Sequence, residues 1–83
     1  MLKAIIWTRD HCDYCDMAKK ELTLRGYEIE ERNIWGTDWS KADLQKLIPD
    51  VKTVPQIFIY NKHIGGYNEL MIYFEETTSN YGH

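Results

Sequence analysis

The chain has 83 residues, about the size of one small domain, so we expect a single domain over residues 1–83. Its 43% hydrophobic content supports a small core, and a net charge of −3 excludes a basic nucleic-acid-binding surface as its main function. No apolar run is long enough to cross a membrane, and the N-terminus lacks the features of a signal peptide, so we expect a cytosolic protein with no membrane partner.

The first half of the chain predicts a strand, a helix and a second strand. A short apolar run at residues 4–7 is typical of a buried strand. The helix that follows Cys12 carries Tyr14, Ala18 and Leu22 at spacings of four, and Gly26 ends it as a C-cap residue. Residues 27–34 alternate weakly in polarity and predict a more exposed strand.

The second half begins with a short helix and continues with a hairpin. Residues 40–43 resemble a capping box with Asp in the place of Glu, and Pro49 stops the helix that they start. Residues 57–60 predict a third strand. Residues 61–62 then form a two-residue turn into a brief fourth strand at residues 63–64.

A last helix completes the predicted topology. Gly65-Gly66 breaks the chain, Asn68 is the expected N-cap of this helix, and residues 77–83 are expected to form a frayed tail. The element order is therefore β-α-β-α-β-β-α. The first β-α-β unit requires a parallel pair of strands, so we expect an α/β domain with one mixed four-stranded sheet and three helices.

Cys12 and Cys15 are the only cysteines in the chain. A loop of three residues restricts the unfolded chain very little, so the pair is a poor structural cross-link and favours redox chemistry. The pair lies where the first strand becomes the first helix, and free N–H groups at a helix start stabilise a thiolate. We expect Cys12 to be the exposed nucleophile and Cys15 the more buried resolving residue. Asp13, directly after Cys12, should disfavour the thiolate.

A metal site is the alternative interpretation of this motif. A structural zinc site needs four ligands, and the chain has no second cysteine pair. The remaining candidates, His11, His63 and His83, lack the spacing of histidine ligands on one helix face. We therefore expect no metal ion, although a pair of inert thiols also fits the spacing.

Thr53-Val54-Pro55 precedes the third strand. A cis bond before Pro55 would let Val54 present its own N–H and C=O groups, and an extended peptide could pair with them as an added strand. The alternative is an ordinary trans proline at the start of a strand, because cis bonds are only about 5–6% of X–Pro bonds.

Three motifs in this order resemble the glutaredoxin family, which has the thioredoxin-like fold. They are Cys12-Asp13-Tyr14-Cys15, Thr53-Val54-Pro55-Gln56-Ile57-Phe58 and His63-Ile64-Gly65-Gly66-Tyr67-Asn68-Glu69. The resemblance spans nearly the whole chain. The compact length of the chain is similar to that of the short bacterial and bacteriophage members. It implies a glutathione-dependent thiol–disulfide oxidoreductase that reduces protein disulfides and glutathione mixed disulfides, with ribonucleotide reductase as one candidate electron acceptor.

The resemblance also implies a glutathione site next to the nucleophile Cys12 and the resolving Cys15. Glutathione would be the reductant and co-substrate of a monomeric enzyme with no nucleic-acid partner. Elementary chemistry agrees, because a helix N-terminus suits one glutathione carboxylate, and Glu69 could accept a hydrogen bond from the ammonium group. The implied glutathione-binding residues are Arg9, Tyr14, Thr53, Val54, Pro55, Gly65, Gly66, Tyr67, Asn68 and Glu69.

Several alternatives stay open at this point. The Gly65-Gly66-Asn68 segment is also compatible with a plain turn and helix cap, and Arg9 with a solvated surface charge. Trp35 and Trp39 are interpreted as packing residues, with protein docking as the other option. A redoxin of the same fold reduced by a flavoprotein thioredoxin reductase, or an iron–sulfur module built from two chains and glutathione, are the rival functions.

The motifs depart from the family pattern at two places. Asp13 stands where the dithiol motif usually has proline, and Asn68-Glu69 replaces a pair that is often Thr or Ser followed by Asp. Asp13 is expected to change the redox potential and the pKa of the nucleophilic cysteine. The longer side chain of Glu69 is expected to change the affinity for glutathione.

Overall fold

A computed structural model describes residues 2–78 of the chain. Its elements are β1 (Lys3–Thr8), α1 (Asp13–Leu24), β2 (Glu28–Asn33), α2 (Lys41–Leu47), β3 (Gln56–Ile59), β4 (Lys62–Gly65) and α3 (Tyr67–Thr78). The four strands form one sheet in the order β2-β1-β3-β4. The β1–β2 pair is parallel, whereas β3 is antiparallel to both β1 and β4. The predicted element order and the mixed four-stranded sheet with three helices are confirmed.

The sheet separates two hydrophobic clusters of different size. The larger cluster fills the face covered by α1 and α3, where Ala4 and Ile6 of β1 meet Leu22 of α1 and Leu70 of α3. On the opposite face, Trp7 packs with residues of α2 and the neighbouring loops in a smaller cluster. The alternation of Ile6 and Trp7 explains why residues 4–7 read as one apolar run: β1 is buried on both faces.

Local signals set the ends of the first two helices as expected. Gly26 follows the C-cap of α1 with φ +86°, a conformation that glycine adopts without steric cost. At the start of α2, the Ser40 hydroxyl accepts from the Asp43 N–H, and the Asp43 carboxylate accepts from the Ser40 N–H. The Ser40 N–H and the Ser40 hydroxyl both donate to the Asp43 carboxylate, and these two bonds hold the pKa of Asp43 below its ordinary value, with the bond from the backbone as the larger cause.

The hairpin turn and the last helix differ from the prediction. The turn residues are Tyr60 and Asn61, both with positive φ, so the predicted turn at residues 61–62 is one residue late. The N-cap prediction for Asn68 is also wrong, because α3 already begins at Tyr67 and Gly66 accepts its first backbone bond. Asparagine and glycine are both common caps, and composition alone could not choose between neighbouring positions.

The expected frayed tail at residues 77–83 lies only partly within the described residues. Helix α3 continues to Thr78, beyond the expected start of a frayed tail at residue 77, and the rest of that tail lies outside the described residues. Within residues 2–78, no helix combines the length and apolar character needed to cross a bilayer.

Candidate active site

Cys12 and Cys15 form a disulfide at the start of α1. Cys12 is the N-cap residue, in extended conformation, and Cys15 lies one turn into the helix. The Cys12 sulfur accepts a hydrogen bond from the Cys15 backbone N–H at 3.1 Å. This N–H is one of the donors that a helix start leaves without a backbone partner, so the fold directs it at the sulfur. The same donor is positioned to stabilise a negative charge on Cys12 once the disulfide is reduced.

The two cysteines differ slightly in burial, and neither is exposed. Cys12 retains 6% of its surface and Cys15 retains 1%. The expectation of an exposed Cys12 is therefore wrong for the disulfide form, although Cys12 is the more accessible of the two, as expected. The reason is non-local: the Cys12 sulfur faces the carbonyl of Val54, 42 residues further along the chain.

The segment before β3 brings its backbone to the redox pair. The Val54–Pro55 peptide bond is cis, which the residues alone left open and the resemblance implied. The Val54 carbonyl oxygen lies 3.8 Å from the Cys12 sulfur. A disulfide sulfur has no proton to donate, so this is a contact and not a hydrogen bond in the oxidised protein. A group bonded to the Cys12 sulfur would therefore lie beside the backbone of Val54.

The N-terminus of α3 lies beside the same segment. A Cβ built at Gly66 would stand 3.5 Å from the Pro55 carbonyl oxygen, so these two backbones lie close together. The ring centroids of Tyr14 and Tyr67 are 5.9 Å apart, which links the first turn of α1 to the first turn of α3. The two helix starts therefore lie close together.

Glu69 occupies the space next to the two glycines. Its Oε1 accepts from the Gly66 N–H at 2.9 Å, which is the glutamate half of a capping box. A Cβ at Gly65 would come within 2.9 Å of the Glu69 side chain, and Gly65 has φ +122°. In this structure the glycines make room for Glu69, which the sequence interpretation had not considered. Asn68 is exposed, and its amide forms no hydrogen bond within residues 2–78.

Arg9 lies at the carboxyl end of β1 and is held by the adjoining loop. Its Nη1 donates to the carbonyls of Asp10 and His11 at 2.9 and 3.1 Å, and its guanidinium lies 5.5 Å from the ring centroid of Trp35. The Asp10 carboxylate accepts from the Asn33 amide at 2.8 Å, which ties this loop to the end of β2. Arg9 is therefore positioned at the edge of the site and is not free in solvent.

Arg9 also lines a groove of about 280 Å³ that begins at Thr53 and Val54. Sequence reasoning missed Lys41 and Lys52 in this groove and interpreted Trp35 as packing, whereas Trp35 is 57% exposed. A signal was present for Arg9 and Trp35, because the carboxyl ends of parallel strands share one sheet edge and the residues after β1 and β2 must converge there.

Acidic residues surround the first turn of α1 without forming a metal site. Asp16 pairs with Lys19 at 3.6 Å, and Lys19 also bonds Glu31, which accepts from the buried Thr8 hydroxyl at 2.7 Å. Among residues 2–78, no three His, Cys, Asp or Glu side chains gather in a way that could hold a metal ion.

Comparisons with known proteins agree with this geometry. The family profile described as Glutaredoxin matches residues 4–64. Glutaredoxin 1 of Escherichia coli (strain K12) is 35% identical over 81 aligned residues, which cover 90% of this chain and 95% of that protein.

Two solved structures have similar folds. The crystal structure of glutaredoxin 1 from Francisella tularensis complexed with cacodylate has a TM-score of 0.77 and 28% identity, covering 95% of this chain and 99% of that one. The buckwheat glutaredoxin–glutathione complex has a TM-score of 0.77 and 25% identity, covering 92% of this chain and 71% of that one. With its cysteine pair at the helix start, the chain belongs to the glutaredoxin family, whose members are thiol–disulfide oxidoreductases that use glutathione as a reductant.

Proposed function

We propose that this protein is a glutathione-dependent oxidoreductase that reduces protein disulfides and glutathione mixed disulfides. The observation that carries the proposal is the Cys12–Cys15 disulfide at the N-terminus of α1, with the Cys12 sulfur 3.8 Å from the Val54 carbonyl. A relative solved with glutathione bound, the buckwheat protein, supports the choice of reductant.

With a protein disulfide, the reduced enzyme acts through both cysteines. The Cys12 thiolate attacks one substrate sulfur, and the other sulfur leaves as a thiolate that takes up a proton. The Cys15 thiolate then attacks the Cys12 sulfur, which releases the second substrate thiol and forms the disulfide seen here. Two electrons have moved from the enzyme to the substrate, and the substrate has become a dithiol.

Two glutathione molecules return the enzyme to its reduced form. The first thiolate attacks the Cys12 sulfur and displaces Cys15 as a thiolate, which takes up a proton. The second attacks the glutathione sulfur bound to Cys12, giving glutathione disulfide and the Cys12 thiolate. A glutathionylated substrate needs only Cys12, because its glutathionyl group passes to Cys12 and then to a second glutathione.

Glutathione binding is proposed at the backbone of Thr53 and Val54 before Pro55, with the γ-glutamyl end at the start of α3. Three features support this. The free Asn68 amide could donate to the α-carboxylate, and helix N–H groups favour an anion at this end. One Glu69 oxygen caps Gly66, which leaves the other for the ammonium group. Arg9 is proposed to contact the glycine carboxylate from the groove edge, and Tyr14 and Tyr67 to flank the sulfur.

The test measures reduction of a small glutathione mixed disulfide with glutathione as the only thiol that reduces the enzyme. Glutathione reductase recycles the glutathione disulfide that forms, and the oxidation of NADPH by that reductase is the readout. We expect turnover with glutathione and none when NADPH and thioredoxin reductase replace it. The opposite pattern would establish the rival redoxin reduced by a flavoprotein.

Matched serine variants test the roles of the two sulfurs. Cys12→Ser should abolish both reactions, whereas Cys15→Ser should lose the reduction of protein disulfides and keep deglutathionylation. Identical behaviour of the two variants would contradict this division of roles. The disulfide of ribonucleotide reductase, a candidate on the family resemblance alone, is one protein substrate for this assay.

A further inference from the structure

A chain of two hydrogen bonds connects β4 to the segment that carries Val54. The Gln56 Nε2 donates to the Thr53 carbonyl at 3.0 Å, and the Gln56 Oε1 lies 2.8 Å from His63 Nε2. Gln56 is the first residue of β3, and only 9% of its surface is exposed. A buried amide without partners costs free energy, so these two bonds are a fixed part of the fold.

The direction of each bond in this chain follows from chemistry. A backbone carbonyl can only accept, so the amide nitrogen of Gln56 faces Thr53 and its oxygen faces His63. Because that oxygen has no proton to donate, the proton of the second bond is carried by His63 Nε2. The neutral ring with its proton on Nδ1 alone would place two acceptors face to face. The structure therefore assigns one neutral tautomer to His63.

An aromatic contact holds the His63 ring in place. His63 lies opposite Phe58 in the β3–β4 pair, and the two ring centroids are 5.0 Å apart. Gln56 and Phe58 are two residues apart in β3, so their side chains lie on the same face of the sheet. Phe58 packs against the cluster of Trp7 on that face. The core thus orients His63, and His63 orients the amide of Gln56.

The far end of the chain is the turn beside the redox pair. Thr53 and Pro55 flank Val54, whose carbonyl oxygen lies 3.8 Å from the Cys12 sulfur. The bond from Gln56 reaches back three residues and closes this turn. The peptide groups of Val54 are therefore oriented before any ligand arrives, which removes an ordering cost from binding.

We propose that Gln56 is a positioning residue that fixes the Val54 backbone for pairing with glutathione, and that His63 acts through Gln56. The inference rests on the proposed function, because glutathione is the ligand that pairs with this backbone. Neither side chain touches the tripeptide. Their contribution is to the affinity for glutathione, and the chemistry at the sulfurs is unchanged.

The kinetic experiment uses Gln56→Met, which keeps the size of the side chain and removes both bonds. The KM for glutathione should rise about fivefold, the factor that corresponds to one net hydrogen bond, with kcat unchanged. The matched control is Ile59→Val, which removes a buried methyl group from the same strand on the opposite face of the sheet. The control should lose stability and keep its KM. An unchanged KM in Gln56→Met, or an equal rise in Ile59→Val, would overturn the proposal.

A double-mutant cycle tests whether His63 acts through Gln56. His63→Leu should raise the KM for glutathione about twofold, whereas His63→Gln, which keeps an N–H donor, should leave it unchanged. In the Gln56→Met background, His63→Leu should add nothing, because the bond between the two residues is already lost. A further rise in the double variant would refute the connection through Gln56.

An NMR measurement without glutathione separates this inference from the proposed function. The nitrogen chemical shifts of the neutral His63 ring should show the proton on Nε2, and Gln56→Met should move the Val54 amide resonance while Ile59→Val does not. A proton on Nδ1, or an unmoved Val54 resonance in Gln56→Met, would refute the positioning role. If the wild type fails to turn over with glutathione, the proposed function fails, and these resonances still decide whether Gln56 orients Val54.

Discussion

Glu69 is the residue whose two proposed tasks separate most cleanly by substitution. One carboxylate oxygen accepts from the Gly66 N–H at 2.9 Å and caps α3, and the other is proposed to bind the glutathione ammonium. Glu69→Gln keeps an oxygen acceptor for the cap and removes the charge. Glu69→Ala removes both.

The expected magnitudes follow from exposure. Glu69 is exposed, so its pairing with the ammonium group contributes about 1 kcal/mol, which corresponds to about fivefold in affinity. Glu69→Gln should therefore raise the KM for glutathione about fivefold and leave the melting temperature nearly unchanged. Glu69→Ala should raise the KM similarly and also lose the cap, worth about 1 kcal/mol, which lowers the melting temperature by about 5 °C.

The assay varies glutathione at a fixed concentration of the small mixed disulfide, and calorimetry gives the melting temperature of each variant. Unchanged KM for both variants would show that Glu69 serves only the helix cap. A fall in melting temperature for Glu69→Gln as large as that for Glu69→Ala would show that the cap depends on charge rather than on an acceptor oxygen. Either result would refute the assignment of one oxygen to each task.

Three further predictions concern charge, a helix cap and the hairpin. Asp13→Asn should raise the thiolate fraction of Cys12 at neutral pH, measured by ultraviolet absorbance of the reduced protein; an unchanged fraction would mean that the helix N–H groups dominate. Ser40→Ala should lower the free energy of unfolding in urea by about 1 kcal/mol. Because folding lowers the pKa of Asp43, its stabilisation is present above the pKa of the unfolded carboxyl and is lost as pH falls through the folded value. Ser40→Ala removes the hydroxyl bond to this carboxylate and keeps the larger backbone bond, so the Ser40→Ala difference should shrink slightly in acid. Tyr60→Asn should raise the unfolding free energy by about 1 kcal/mol, because φ is +51° there; a loss would show that the tyrosine ring contributes more than the backbone.

Local patterns were sufficient to predict the element order and the position of the redox pair. Gly26 at φ +86° ends α1, and reciprocal bonds between Ser40 and Asp43 start α2. These features depend on residues within one helical turn of each other. Gly26 and the cysteine spacing could therefore be interpreted without knowledge of the rest of the chain.

Features set by distant residues could not be predicted in the same way. The burial of Cys12 depends on Val54, and the environment of Gly65 depends on how the Glu69 side chain folds back. The groove lined by Arg9 forms only when the loop after β2 and the start of α2 meet the segment before β3. The residues next to Lys41 and Lys52 in the sequence therefore could not show that these two lysines lie in one groove.

The small difference in burial between Cys12 and Cys15 has a chemical consequence. Attack on a disulfide requires an approach along the bond to one sulfur, and the other sulfur leaves. Cys15 is almost fully enclosed, so in the proposed reaction the glutathione thiolate attacks Cys12, and Cys15 becomes the leaving group. The mixed disulfide then forms on the sulfur that faces Val54 and accepts the Cys15 N–H, beside the proposed tripeptide site. Burial of the pair thus favours a single direction of attack, and the proposed assignment of nucleophile and resolving cysteine follows from access as well as from position on the helix.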